Sequence, residues 1–347
     1  MTTIARDARV STARTKAHTV RGGGGLGLHV REWGPADGTP IVLVHGWSQN
    51  HLCWSRQYES ELTGEFRLVA YDLRGHGMSE APLEPGHYTD GKLWADDVAA
   101  IIEELGLDQL VLVGWSYGAF VICDYVRAYG QDRIAAIDFV EGAVKLGEAA
   151  FGTLIGPGFL DHFVGATADD LPTNIGAMRS FVRACVVKPV PDDDLETAIC
   201  WNVAVPAAIR ANLAAREIDC DDVLTAMQVP LLVTQGRADS VVLPAMAEHV
   251  LATCPTAEAS WYDGTGHVPH LEDPRRFNRE LAELTRRAPA LNRRASWTAS
   301  NPAGCLTRRT LATSRVMSTL TGRWTPGRMR PRCAWPMRGS PGWGTGR

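Results

Sequence analysis

Ser116 lies in Gly114-Trp115-Ser116-Tyr117-Gly118, preceded by the apolar run Leu110 to Val113 and followed directly by a helix-like run, Ala119 to Tyr129. Gly-x-Ser-x-Gly between a strand and a helix is a nucleophile elbow. The glycines answer a crowding problem: the turn is sharp enough to strain its central residue, so the positions two before and two after it must lack side chains. Such a turn lifts the serine hydroxyl above the sheet edge, and the following helix aims its positive N-terminal end at it. The chemistry this prepares is attack on an electrophilic carbon. A serine hydroxyl is a poor nucleophile at neutral pH, so an imidazole must take its proton during attack. A carboxylate must in turn hold that imidazole in the right tautomer.

The elements around this turn alternate strand and helix. Ile41-Val42-Leu43-Val44 reads as a buried strand ending in His45-Gly46-Trp47-Ser48. A helix is expected from about His51 to Leu62, then a strand from Phe66 to Tyr71 with the loop Asp72-Leu73-Arg74-Gly75-His76-Gly77 at its end. Thr89 to Leu105 reads as an amphipathic helix with Leu93, Val98, Ile101, Ile102 and Leu105 on one face. A further strand, Ile134 to Val140, follows the serine's helix. This spacing implies a mostly parallel sheet covered by helices on both faces.

Residues 145–227 break the rhythm. The segment is rich in alanine, with helical pieces expected near Asn174–Val186, Leu195–Asn202 and Pro206–Ala215. An insertion after the sixth strand would sit as a lid over the carboxyl ends of the strands, where ligands bind in open α/β sheets. The alternation resumes with strand Pro230–Gln235, helix Pro244–Ala252, strand Ala259–Tyr262 and helix Pro274–Arg287. The expected organisation is therefore a disordered N-terminus, 1–17; an α/β core, 18–144 with 228–288; a helical lid, 145–227; and a basic, disordered tail, 289–347.

Composition bounds the rest. The 347 residues, 45% hydrophobic and 21% charged, describe an ordinary globular chain with a formal charge of −4. That charge is uneven: no acidic residue follows Glu283, while 13 arginines lie between Arg286 and Arg347. The catalytic body is thus strongly acidic, which argues against nucleic acid as its partner. The tail holds too little apolar surface to offset its chain entropy. The eight cysteines (53, 123, 185, 200, 220, 254, 305 and 333) show no metal-binding spacing and read mostly as small buried hydrophobes. No stretch resembles a signal peptide or a membrane span, so a cytoplasmic protein is expected. Gly22 to Gly27 formally contains Gly-x-Gly-x-x-Gly, but Leu28-His29-Val30-Arg31-Glu32-Trp33 alternates like a strand instead of opening a helix. A hairpin turn is expected there, not a phosphate loop.

Together these motifs resemble the α/β-hydrolase superfamily from about Thr19 to Arg287, and within it the small esterases, lactonases and cofactor-free haloperoxidases (perhydrolases). The resemblance implies the chain order nucleophile, acid, histidine. Carried onto this sequence, Ser116 is the nucleophile, Asp239 in Gly236-Arg237-Ala238-Asp239 the acid, and His267 in Asp263-Gly264-Thr265-Gly266-His267 the histidine. Asp239 also suits a turn or helix-capping role. Glu141, directly after the Ile134–Val140 strand, is a rival acid, because some members carry theirs there. His270 lacks the glycines that precede His267.

The same resemblance places an oxyanion hole at the backbone N–H groups of Trp47 and Tyr117, with the Trp47 side chain either lining the acyl pocket or packing in the core. His45 is expected to orient the oxyanion loop and His76 to be structural. Trp115, Tyr117 and Trp201 join Trp47 as candidate substrate contacts, with Phe159 and Phe163 as further lid candidates. No cofactor and no metal are implied. Serine, where haloalkane dehalogenases and epoxide hydrolases use aspartate, argues against alkyl-halide and epoxide chemistry. The expected function is hydrolysis of a small-molecule ester, thioester or lactone with a small apolar acyl group. Perhydrolysis by the same residues is the alternative within enzymes, and a non-catalytic small-molecule sensor the alternative from another class. Oligomeric state is not legible.

Overall fold

The β-branched and leucine-rich runs form strands where their pattern places them. The computed structural model describes residues 15–300. Strands β1 (Lys16–Arg21), β2 (Gly27–Trp33), β3 (Pro40–Val44), β4 (Arg67–Tyr71), β5 (Leu110–Trp115) and β6 (Ile134–Val140) come first, and a two-stranded ribbon, β7 (Lys145–Leu146) with β8 (Ile218–Asp219), stands apart. Strands β9 (Leu231–Gly236) and β10 (Ala257–Tyr262) complete an eight-stranded sheet of order β1-β2-β4-β3-β5-β6-β9-β10. The pairings β1–β2 and β2–β4 are antiparallel, and every other pairing in this sheet is parallel. Every residue of β5 and β6 is buried, as expected of strands covered on both faces. The turn between β1 and β2 closes an antiparallel pair with Arg21 opposite Gly27, so the glycine run is the expected hairpin.

The helices of eight residues or more are, in chain order, α1 (Gly91–Glu104), α2 (Tyr117–Tyr129), α3 (Pro157–Ala166), α4 (Leu171–Ala184), α5 (Asp192–Ala204), α6 (Ala207–Ala214), α7 (Pro244–Thr253) and α8 (Pro274–Ser300). Their limits have local causes. The Asp90 side chain accepts the Lys92 N–H at 2.9 Å and caps α1. The Asp170 carboxylate does the same for Thr173 at the start of α4, at 3.0 Å. Helix α2 ends at Gly130, whose φ of 77° no β-carbon obstructs.

Four expectations need correction. The single helix expected from His51 to Leu62 is three short pieces, His51–Trp54, Ser55–Tyr58 and Glu61–Gly64. Asn50 and Ser60 accept the Leu52 and Leu62 N–H groups and restart the chain at each point. Helix α3 carries no clear periodic signal in sequence, yet Pro157 in its first turn starts it. Lys16 and Ala17 belong to β1, because they pair with Glu32 and Arg31. Helix α8 runs to Ser300, beyond the end expected at Arg287. Residues 1–14 and 301–347, where disorder is expected, lie outside the described residues. Among the described residues no helix is long and apolar enough to cross a membrane.

Four helices of eight residues or more, α3 to α6, and the short helix Asp221–Thr225 thus intervene between β6 and β9, the interval in which the insertion is expected.

Candidate active site

The crowding argument at Ser116 holds at atomic detail. A β-carbon on Gly118 would lie 2.4 Å from the Val44 carbonyl oxygen, and one on Gly114 would lie 2.9 Å from the Ala119 nitrogen. Ser116 itself adopts φ 55° and ψ −115°, a strained conformation for a residue with a side chain. The strain is held by hydrogen bonds: the Ser116 N–H donates to the Val140 carbonyl at 2.9 Å, and the Ser116 carbonyl accepts from Ala119 and Ala143 N–H at 3.1 Å each. Ser116 is thereby fixed between the ends of β5 and β6 and the start of α2.

The loop after β9 brings Asp239 and the loop after β10 brings His267. His267 Nδ1–H donates to Asp239 Oδ2 at 2.7 Å; the carboxylate only accepts, which fixes the tautomer. Asp239 Oδ1 accepts the Val241 and Val242 N–H groups at 2.7 and 3.2 Å. The turn role and the histidine-orienting role of Asp239 therefore coexist on different oxygens. With Nδ1 engaged, Nε2 is the imidazole nitrogen left to accept a proton. Ser116 and His267 line one cavity of about 540 Å³. The imidazole loop is braced from outside, since the His267 N–H donates to the Cys185 carbonyl, beyond the end of α4, at 2.8 Å.

Glu141 reaches the same corner. Its backbone has φ 48°, and its Oε1 accepts the Gly236 N–H at 2.5 Å. Carboxyl oxygens of Glu141 and Asp239 and an imidazole nitrogen of His267 all lie within 4.8 Å of one another. Asp239, not Glu141, makes the hydrogen bond to the imidazole. Burial, and then the adjacent Asp239 carboxylate, push the Glu141 carboxyl well above the usual carboxylate range.

The candidate oxyanion donors come from two loops. Tyr117 is the first residue of α2, so its N–H has no acceptor within the helix. Trp47 follows Gly46, and a β-carbon on Gly46 would lie 3.1 Å from Ser116 Cβ and 3.6 Å from its Oγ. A side chain at position 46 would therefore crowd Ser116. His45 holds the loop as a neutral ring: its Nδ1 donates to the Gly46 carbonyl at 2.8 Å and its Nε2 accepts the Leu73 N–H at 2.9 Å. Burial pushes His45 down to about 3 and His76 to about 4. His76 likewise bridges loops, donating to the Arg74 carbonyl and accepting the Ser48 N–H. The Asp72–Gly77 loop is structural: Arg74 makes a fully buried bidentate pair with Asp97, both bonds at 2.7 Å.

Trp47 lines the cavity and also packs within the apolar core. Its ring lines the cavity and packs edge-on against Phe159 and Phe181, with centroids 5.1 and 5.3 Å away. Trp115 and Tyr117 also line the cavity, as does Phe159, while Phe163 does not. Trp201 is a correction: it lies on an adjoining cavity of about 470 Å³, which shares Gln49 and Trp115 with the first. Its indole N–H donates to Gln49 Oε1 at 2.7 Å. Phe120, Ile155, Phe181, Val241 and Val242 are among the other apolar lining residues and carry no sequence signal beyond being apolar. Gln49 lies three residues after Gly46 on the loop that follows β3, and that position was the available hint.

The donor set at His29, His51 and Asp72 comes within 4.8 Å, but the Asp72 oxygens already accept His51 N, His51 Nδ1 and Met78 N. Its chemistry is that of a saturated loop anchor. Of the six described cysteines all are free thiols, and all but Cys200 are buried.

Residues 41–280 match the model of the alpha/beta hydrolase family, and the chain belongs to that family. It is similar to the bifunctional esterase/perhydrolase DCH of Acinetobacter calcoaceticus, at 30% identity over 63% of this chain and 80% of that protein. A non-heme chloroperoxidase of Streptomyces lividans is 32% identical, over 65% of this chain and 83% of its own length. Among solved structures, the esterase RhEst1 from Rhodococcus sp. ECU1013 superposes with a TM-score of 0.73 at 32% identity, covering 78% of this chain and 99% of that one. The chain is a hydrolase of this family with esterase-like relatives.

Proposed function

We propose that this hydrolase cleaves a carboxylic ester, thioester or lactone with a small apolar acyl group, using Ser116, His267 and Asp239. The observation that carries the reading is the Asp239–His267 hydrogen bond on the same apolar cavity as the strained Ser116. His267 Nε2 takes the Ser116 proton as Oγ attacks the acyl carbon, and Asp239 stabilises the imidazolium that forms. The Trp47 and Tyr117 N–H groups receive the developing oxyanion; one such donor is worth about 100- to 1000-fold in rate. Imidazolium then protonates the leaving alkoxide or thiolate. Water, activated by His267, deacylates the enzyme and restores Ser116. Helices α3 to α6 serve as the lid, supplying Phe159, Phe181 and Ala214 to the acyl cavity.

Perhydrolysis is the second reading, favoured by the similarity to an esterase/perhydrolase. Hydrogen peroxide would replace water on the same acyl-enzyme. The test is labelling by an active-serine phosphonate beside turnover of short-chain p-nitrophenyl esters, with and without peroxide. One adduct, absent in Ser116→Ala, with ester turnover supports the proposal. Folded protein that is neither labelled nor active would overturn it in favour of a small-molecule sensor.

A further inference from the structure

Behind His267 the structure places two carboxyl groups where the triad uses one. Glu141 and Asp239 are both buried, at 0% and 3% exposure. Among the described residues no lysine or arginine bonds either carboxyl. Two carboxylates this close in a dry site do not both ionise, because each raises the cost of charging the other.

Hydrogen bonding decides which keeps the proton. Asp239 accepts three N–H groups, from Val241, Val242 and His267, all of which stabilise a charged carboxylate. Glu141 accepts one, the Gly236 N–H on Oε1, and its Oε2 is buried with no partner of its own. A proton on Oε2 leaves the Gly236 bond intact and gives that oxygen something to donate. We propose that Glu141 stands as a neutral acid beside Asp239 and donates toward its carboxylate, a positioning residue that leaves a single negative charge behind His267. The inference rests on the triad assignment above for its kinetic meaning, but not for its structural content.

The surroundings support a neutral group. Besides Asp239 and His267, the titratable groups around this corner are Glu272 and the buried Cys185 thiol. Lys188 lies farther out and interacts with Glu272. The Gly236 N–H that Glu141 accepts is at the end of β9, three residues before Asp239. Glu141 therefore braces the turn that presents Asp239, and its own strained φ of 48° is the local cost of reaching it.

The test uses the full chain. Infrared spectroscopy at neutral pH should show a protonated-carboxyl carbonyl band that is lost in Glu141→Gln. The band should persist in Ser116→Ala, so it is read without any turnover. In kinetics, Glu141→Gln keeps an acceptor for Gly236 and a donor for Asp239. Its kcat should stay within about threefold of the parent, and the acid limb of kcat/KM should not move. Glu141→Ala should lower kcat about tenfold with little change in KM, and Glu141→Gln should restore it. Absence of a Glu141-dependent band would overturn the proposal. So would a fall of about one pH unit or more in the acid limb of Glu141→Gln, the mark of an anion removed from beside the imidazole. If Ser116→Ala still hydrolysed esters, the assignment of Ser116 as nucleophile would fall and the infrared band alone would decide the state of Glu141.

Discussion

The Trp115 indole N–H donates to the main-chain carbonyl of His267 at 2.8 Å, across 152 positions of sequence. The residue beside the candidate nucleophile thereby anchors the loop that carries its candidate base. This buried bond ties the loop of His267 to the end of β5, directly before Ser116.

Trp115→Phe keeps an aromatic filler and deletes that bond. Loss of a buried hydrogen bond costs about 1 kcal/mol, which for a domain of this size lowers Tm by a few degrees. A loosened His267 should lower kcat about tenfold while KM moves less. Thermal melts and steady-state kinetics on one ester check both; an unchanged kcat would show that the bond does not position the imidazole.

Two glycines should separate folding from catalysis. A β-carbon at Gly118 meets backbone at 2.4 Å, so Gly118→Ala should cost about 3 kcal/mol or more and reduce the yield of folded protein. At Gly46 the nearest atom is the Ser116 side chain at 3.1 Å. Gly46→Ala should fold with a near-parental Tm yet lose about tenfold or more in kcat, because the methyl group crowds Oγ and the oxyanion loop.

Three buried histidines should each cost stability on mild acidification. His45, His76 and His270 are buried and pushed down to about 3, 4 and 3 respectively by desolvation, against an ordinary value of 6.5. Between those limits these histidines bind protons in the unfolded chain and refuse them in the folded one, so their contribution to stability is lost as pH drops from about 6.5 toward 4. The buried acids Asp138 and Glu141, both pushed up, contribute in the opposite direction. His270 packs its ring against Trp54, Trp115 and Phe277, and neither ring nitrogen has a partner. His270→Phe should flatten the Tm–pH slope over that interval; an unaltered slope would remove His270 as a source.

Acyl length should follow the aromatic wall. Phe159 packs on Trp47 and lines the cavity without being fully buried. Phe159→Ala should shift preference from p-nitrophenyl acetate or butyrate toward octanoate, read as a ratio of kcat/KM values. The same ratio in Trp201→Ala should change less, because Trp201 lines the adjoining cavity.

Much of this protein was legible in its sequence because the relevant signals are local. Gly-Trp-Ser-Tyr-Gly between an apolar run and a helix specifies a strained turn whatever surrounds it. Likewise the Leu28–Trp33 alternation distinguishes a hairpin from a phosphate loop within a few residues. Asp239 and His267 were placed by the resemblance of their turns to those of the family, and the fold brings them within 2.7 Å. What tertiary structure alone decided is which side chains meet from different elements. Trp201 lines the cavity beside that of Ser116, and helix α3 starts at a proline without a clear periodic signal. Glu141 could be read in sequence only as a rival for Asp239. Its place as that residue's neighbour follows from burial and from the absence, among the described residues, of a basic partner. A proton's location depends on the whole surrounding field, and no spacing along a chain encodes that.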